Sequence, residues 1–177
     1  MKFKSFLLLI ALIGFVACKE PIARKPITTK GDTFFKESVE LNKKLNAEEE
    51  LMIKAWLEKD TLTIYYPTNK GFWVHYIEKD TLKLPAVKKG DLVNFSYEVT
   101  DIDNQIIYPL QDKKYKVDEE ILIPGLQDGI KLLKPNEEVI FLFPSYKAYG
   151  YQGDKKEIHG RQTLKYRVKI NSIQNTK

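Results

Sequence analysis

The pattern of this chain predicts an α+β fold: an antiparallel β-sheet wrapped on one main α-helix, with a helical N-terminal extension and a β-hairpin. Three observations carry the prediction. Val93, Phe95, Tyr97 and Val99 alternate with Asn94, Ser96 and Glu98, and Leu164, Tyr166, Val168 and Ile170 alternate with Lys165, Arg167, Lys169 and Asn171. Such period-two alternation marks strands with one buried face. The apolar run Ile121-Leu122-Ile123 meets Pro124-Gly125 and then opens a helical pattern over residues 126–133, where proline suits a first turn. Residues 34–60 contain neither proline nor glycine, which leaves room for one long helix. A sheet with its helix on one face buries both apolar surfaces in a single core.

The long helix is expected over residues 33–60, with Leu41, Leu45, Met52 and Trp56 on one side. That stripe must pack on its own domain or on the helix of a second copy, a possible homodimer. Asn46 followed by Glu49 has the form of a capping box, but one continuous helix is the preferred reading. Residues 61–87 are expected to form a hairpin and linker, because Leu62–Tyr66 and Phe72–Ile77 are β-rich runs separated by Pro67-Thr68-Asn69-Lys70-Gly71. Ile106–Tyr108 and Tyr115–Val117 read as short strands and Val139–Phe143 as a buried one. Asp101-Ile102-Asp103-Asn104 reads as a turn, since the glycine and final glutamate of a calcium loop are missing.

Composition narrows the function. The chain has 177 residues, 43% hydrophobic and 30% charged, with a net charge of +5. Its lysines are scattered among acids with no arginine-rich stripe, so nucleic acid is not an expected partner. His75 and His159 are the only histidines and stand far apart in sequence, so no metal site is expected. No cofactor is implied, and none of the serines singled out (Ser38, Ser96, Ser145, Ser172) lies in a nucleophile-elbow pattern.

The N-terminus has the form of an export signal. Lys2 and Lys4 precede the apolar run Phe6–Phe15, which is short for a membrane span of about 20 residues. Val16-Ala17-Cys18 follows and resembles the lipobox of bacterial lipoproteins, with Phe15 where an aliphatic residue is usual. Cys18 is the single cysteine, so an exported chain cannot pair it internally, and lipidation turns its sulfur into a thioether. The expected organisation is a lipoprotein-type signal peptide at 1–17, a flexible tether at 18–32, the helix, the hairpin, and a domain at 88–177. With Lys19 rather than aspartate directly after Cys18, the anchored protein is expected at the outer membrane, on its periplasmic face.

Two blocks suggest the activity. Ile121-Leu122-Ile123-Pro124-Gly125-Leu126-Gln127-Asp128-Gly129-Ile130 is followed, a dozen residues on, by Phe143-Pro144-Ser145-Tyr146-Lys147-Ala148-Tyr149-Gly150. In this order and spacing they resemble the FKBP-type peptidyl-prolyl cis-trans isomerases, and the resemblance covers about half the chain, from Lys88 to Ile173. It implies an apolar cup for a proline ring. Tyr97 and Tyr166 would form its walls, Leu126 its floor, and Tyr149 the hydroxyl that donates to the substrate carbonyl. Tyr97, Tyr149 and Leu126 are thereby the expected catalytic groups. Ile107, Tyr108, Tyr115, Leu122, Ile123, Ile158 and Tyr166 would contact substrate. Tyr108 stands where most active members carry aspartate, Leu126 where tryptophan is usual, and Glu157 where an aliphatic residue is usual.

Rotation about an X–Pro bond needs no nucleophile or cofactor; the barrier of about 18–20 kcal/mol is amide resonance. An apolar cup disfavours the polar planar amide relative to the twisted transition state. The resemblance implies proline-containing segments of exported client proteins as partners. Together with Phe34–Asn46, the Phe143–Gly150 block resembles the gliding-motility-associated FKBP-type lipoproteins of Bacteroidetes, which implies clients in motility or secretion machinery. Two other readings stay open: a binding module that kept the fold and lost turnover, and a structural subunit docked through the helix.

Overall fold

The fold, a computed structural model, describes residues 31–80, 85 and 87–175. The expected signal peptide, Cys18 and most of the tether lie outside the described residues. Met1–Glu40 and Leu41–Lys177 are separate units; of the first, the opening turns of a helix are described.

That helix, α1, runs without interruption over Gly31–Lys59, so the Asn46–Glu49 signal starts no second helix. Strands β1 (Tyr66–Pro67), β2 (Trp73–Glu78), β3 (Leu92–Thr100) and β4 (Ile106–Lys116) follow. Then come helix α2 (Pro124–Ile130), strand β5 (Glu138–Phe143), a 3₁₀ turn at Ser145–Lys147, and strand β6 (Leu164–Gln174). The strands form one antiparallel sheet in the order β1-β2-β5-β6-β3-β4. The hairpin is therefore part of the same sheet, with β2 paired to β5 from Trp73↔Leu142 to Glu78↔Glu138.

One face of the sheet makes the main core. Phe141 lies opposite Tyr166, Phe143 opposite Leu164, and Val99 opposite Tyr166 on the other side. These residues are buried with Phe95, Val139, Val168 and Ile170, and α2 covers them with Leu126 and Ile130. The helix sits close because two of its residues lack side chains. A Cβ on Gly125 would fall 2.6 Å from the Phe143 ring, and one on Gly129 would fall 2.8 Å from that of Phe141. The expected alternation thus holds for β3 and β6, and the buried apolar run forms β5.

The opposite face receives α1. Ile53, 1% exposed, joins Trp73 and Leu142, with Trp56, Leu57 and Tyr65 packed against them. This corrects the expected stripe. Trp56 and Leu45 are half-buried, but Leu41 and Met52 are 56% and 66% exposed. The buried row is centred on Glu49 and Ile53 instead, because a buried carboxylate, which hydropathy cannot flag, lies at its middle.

Three smaller departures have local causes. β4 is one strand of eleven residues, not two short ones. It lies at the sheet edge and is mostly exposed, so its charged middle carries no alternation, and Pro109 is tolerated there. The first arm of the hairpin pairs only at Tyr66 and Pro67, since Asp60 Oδ1 accepts the N–H groups of Leu62 and Thr63 (3.1 and 3.2 Å) and turns the chain. Helix α2 stops at Ile130, and residues up to Leu133 continue as turns closed by Leu132 N–H to Gly129 O (2.9 Å) and Leu133 N–H to Ile130 O (3.1 Å). The Asp101–Asn104 segment is the expected turn: Asp101 Oδ1 accepts from the N–H groups of Asp103 (2.9 Å) and Gln105 (2.8 Å).

Candidate active site

Strand β3 presents Tyr97 and β6 presents Tyr166 on the inward face of the sheet, where Tyr166 is buried and Tyr97 partly so, and the turn after β5 presents Tyr149. The three tyrosines line two adjoining clefts. The first, about 330 Å³, is completed by Lys113, Ile121, Leu122, Ile123 and Leu126. The second, about 320 Å³, is completed by Tyr108, Gln111, Asp154 and Lys156. Tyr97 and Tyr166 stack at 6.0 Å with 15° between their planes, and Phe143 supports Tyr166 from below at 5.5 Å. Leu126 is buried beneath the first cleft, at the start of α2. Gln127 Nε2 donates to Leu122 O at 2.9 Å and holds the entering backbone.

Hydroxyl groups dominate the electrostatics. Burial pushes the Tyr166 phenol far above its ordinary value, and Tyr149 adds to the shift by proximity and a hydrogen bond. Tyr97 is raised by burial and then by Tyr149. The Tyr97 and Tyr166 phenols, both raised, stay neutral at physiological pH. The Tyr108 hydroxyl donates to Asp154 Oδ2, and that bond is the first cause pushing the Tyr108 phenol up to about 12. Burial pushes the Asp154 carboxyl up. Bonds from Tyr108 and from the N–H groups of Ile158 and Lys156 outweigh it and leave the group below its ordinary value.

The arrangement can hold a ring over Leu126 beside the aromatic walls and offer a hydroxyl to a carbonyl above it. It places no nucleophile beside a base, and among the described residues no group of three His, Cys, Asp or Glu could hold a metal ion. A larger concavity of about 700 Å³ lies along the hairpin, lined by residues including Leu62, Ile64, Tyr66 and Tyr76. Its imidazole is already bonded, His75 Nδ1 to Ile64 O at 2.9 Å, and its hydroxyl-bearing residues are Tyr66, Thr68 and Tyr76.

Residues 85–171 match the sequence profile of the FKBP-type peptidyl-prolyl cis-trans isomerases. They form an FKBP-type domain. The chain is similar to peptidyl-prolyl cis-trans isomerase FKBP9 of Rattus norvegicus, 27% identical over 96 residues, and equally to that of Homo sapiens. The matched region is 52% of this chain and 17% of each relative's length. Among solved structures, a peptidyl-prolyl cis-trans isomerase of Pseudomonas syringae superposes with a TM-score of 0.60 at 15% identity, covering 76% of this chain and 96% of that one. FkpA of Escherichia coli superposes at 0.59 with 21% identity, covering 97% and 82%. These structural likenesses show the fold.

Within the FKBP-type domain, Tyr97, Leu122, Ile123, Leu126, Tyr149 and Tyr166 converge on the first cleft, and Tyr108 lies in the second. Ile107 packs against the core without lining either cleft, and Ile158 is buried in that core. Tyr115 is wholly buried, its hydroxyl accepting the Asp118 N–H at 3.1 Å. Sequence reasoning missed Asp154, Lys113, Gln111 and Lys156. Asp154 was findable only by asking which carboxylate could face Tyr108, the aromatic that stands at the aspartate position. The lysines sit on an exposed edge strand and a loop, where charged residues carry no signal.

Proposed function

We propose that the domain is a peptidyl-prolyl cis-trans isomerase acting on proline-containing segments of exported proteins. The observation that carries this reading is the convergence of Tyr97, Tyr149 and Tyr166 over the buried Leu126. A prolyl ring enters beside the stacked Tyr97 and Tyr166 rings and rests on Leu126. The Tyr149 hydroxyl donates to a substrate carbonyl, and the apolar surround withholds solvent from the planar amide. If such differential binding supplied about 4 kcal/mol, isomerisation would speed up roughly a thousandfold. Leu122 and Ile123 present backbone and side chains along the cleft for the residues flanking proline.

Asp154 supplies the carboxylate that the Tyr108 position lacks, but bonds Tyr108 rather than Tyr97. No described residue hydrogen-bonds the Tyr97 hydroxyl by side chain, which favours the second reading, a binding module of weak turnover. Proline-isomerisation kinetics of the purified full chain on Leu-Pro and Phe-Pro peptides separate the two. Acceleration well above the uncatalysed rate supports the enzyme; saturable binding without acceleration supports the module.

The finer assignments are part of the same proposal. Cys18, directly after an apolar leader, carries a thioether lipid anchor that holds the domain at the periplasmic face of the outer membrane. Its clients are exported components of motility or secretion machinery, a reading supported by the Phe34–Asn46 and Phe143–Gly150 segments. Leu41 and Met52, exposed on one side of α1, are the row through which two copies would pair, and sedimentation of a Leu41→Glu, Met52→Glu variant tests it.

A further inference from the structure

Glu49 is 5% exposed, and no cation pairs with it among the described residues. A buried carboxylate without a counter-ion is costly unless hydrogen bonds satisfy it, and here three do. Glu49 Oε1 accepts the Ser145 N–H at 2.6 Å and the Thr163 hydroxyl at 2.8 Å, and Oε2 accepts the Ser145 hydroxyl at 2.6 Å. Every partner is about a hundred residues away and next to the cleft. Ser145 O in turn accepts the N–H groups of Ala148 (2.9 Å) and Gly150 (2.7 Å), the two residues that flank Tyr149. Thr163 immediately precedes β6, which carries Tyr166. Beside it, Glu50 Oε1 accepts the Tyr146 hydroxyl at 2.6 Å. The anion on α1 thus touches no cleft residue and fixes the anchor points of two of them.

We propose that Glu49 is a positioning residue of the proline cleft, a carboxylate supplied by the N-terminal helix that holds the turn carrying Tyr149 and the start of the strand carrying Tyr166. The proposal rests on reading that cleft as the isomerase site. It also gives α1 a role that the matched segment 85–171 does not contain: the helix completes the scaffold of the site as well as covering the sheet. A neutral or apolar residue at position 49 would pack at lower desolvation cost, so the carboxylate is explained by the donors it must meet and not by burial.

The test uses the full chain with Glu49→Gln, Glu49→Asp and Ile53→Val. Glutamine keeps one acceptor but turns an amide NH₂ toward the Ser145 or Thr163 donors. Losing bonds to a charged acceptor should raise amide exchange at Ala148 and Gly150 by about tenfold or more, leaving the β3–β6 amides as in the wild type. kcat/KM should fall by about five- to tenfold, chiefly through kcat, with Glu49→Asp lying between. In a Tyr149→Phe background the same Glu49→Gln change should cost less than about twofold, because both changes disable one contact. Ile53→Val, one helical turn away and part of the packing only, should lower the melting temperature while kcat/KM stays at the wild-type value. Unchanged exchange at Ala148 and Gly150 in Glu49→Gln, or losses that multiply fully with Tyr149→Phe, would overturn the proposal. A wild type without isomerisation would end the isomerase reading instead, and the exchange at Ala148 and Gly150 together with proline-peptide affinity would then decide the role of Glu49.

Discussion

Leu126→Ala separates the floor of the cleft from the core beneath it. Leu126 is buried in the main core on one side and opens to the cleft on the other. Leucine-to-alanine changes in closed cores cost about 2–5 kcal/mol. One side here already faces a cleft, so the loss should sit near the lower end, about 2 kcal/mol. For a chain of this size that lowers the melting temperature by about 4–8 °C and leaves the protein folded at 25 °C. The effect on function should be larger than the effect on fold. A proline ring that loses its apolar support should lose about 1–1.5 kcal/mol of contact, roughly a tenfold rise in KM with kcat less affected. Ile130→Val is the control: it is fully buried on the same helix but lines neither cleft, so it should cost about 1 kcal/mol of stability and nothing in kcat/KM. Protease-free proline-isomerisation kinetics by NMR exchange, with thermal melts on the same samples, read both quantities. A Leu126→Ala protein that is folded and keeps wild-type KM and kcat would show that the substrate does not rest there.

Three further outcomes are expected. Gly125→Ala places a methyl 2.6 Å from the Phe143 ring and 2.9 Å from the Lys147 carbonyl, and should destabilise the domain by about 1–3 kcal/mol in denaturant melts. Because the Asp154 carboxyl titrates below its ordinary value, its contribution to stability is complete above the unfolded value of about 4 and is lost as pH falls through the lower folded one; Tyr108→Phe should shrink that acid-side loss. Cys18→Ala should abolish metabolic labelling with radioactive palmitate, and persistent labelling would remove the lipid anchor.

The readable parts of this fold were those in which burial alternates with exposure. Val93, Phe95 and Val99, or Leu164, Tyr166 and Val168, announce their strands because one face meets α2 and the other does not. Edge strand β4 and the short β1 arm carry no such contrast: solvent reaches most of their residues, and Asp60 diverts the amides that a longer pairing would use. On α1 a polar residue sits at the centre of the buried row, so hydropathy rotated the expected face toward Leu41 and Met52. In the cleft, alternation put Tyr97 and Tyr166 on the apolar face, while Leu126 and Tyr149 were legible only through the family resemblance of the two blocks that hold them. Asp154 reaches Tyr108 from a loop, across a separation of 46 residues that no local signal spans. Glu49 is legible in sequence as a capping residue, and only the tertiary contact shows that its partners are Ser145 and Thr163.

The central claim is that three tyrosines over Leu126 make a cleft that turns X–Pro bonds, and its most direct measurement is the isomerisation rate of a Leu-Pro peptide with wild type and Tyr149→Phe. The account predicts clear acceleration by the wild type and a several-fold lower kcat/KM for the variant, the loss expected of one hydrogen bond worth about 1 kcal/mol. A wild type that leaves the uncatalysed rate unchanged, or a Tyr149→Phe protein as fast as the wild type, would contradict it.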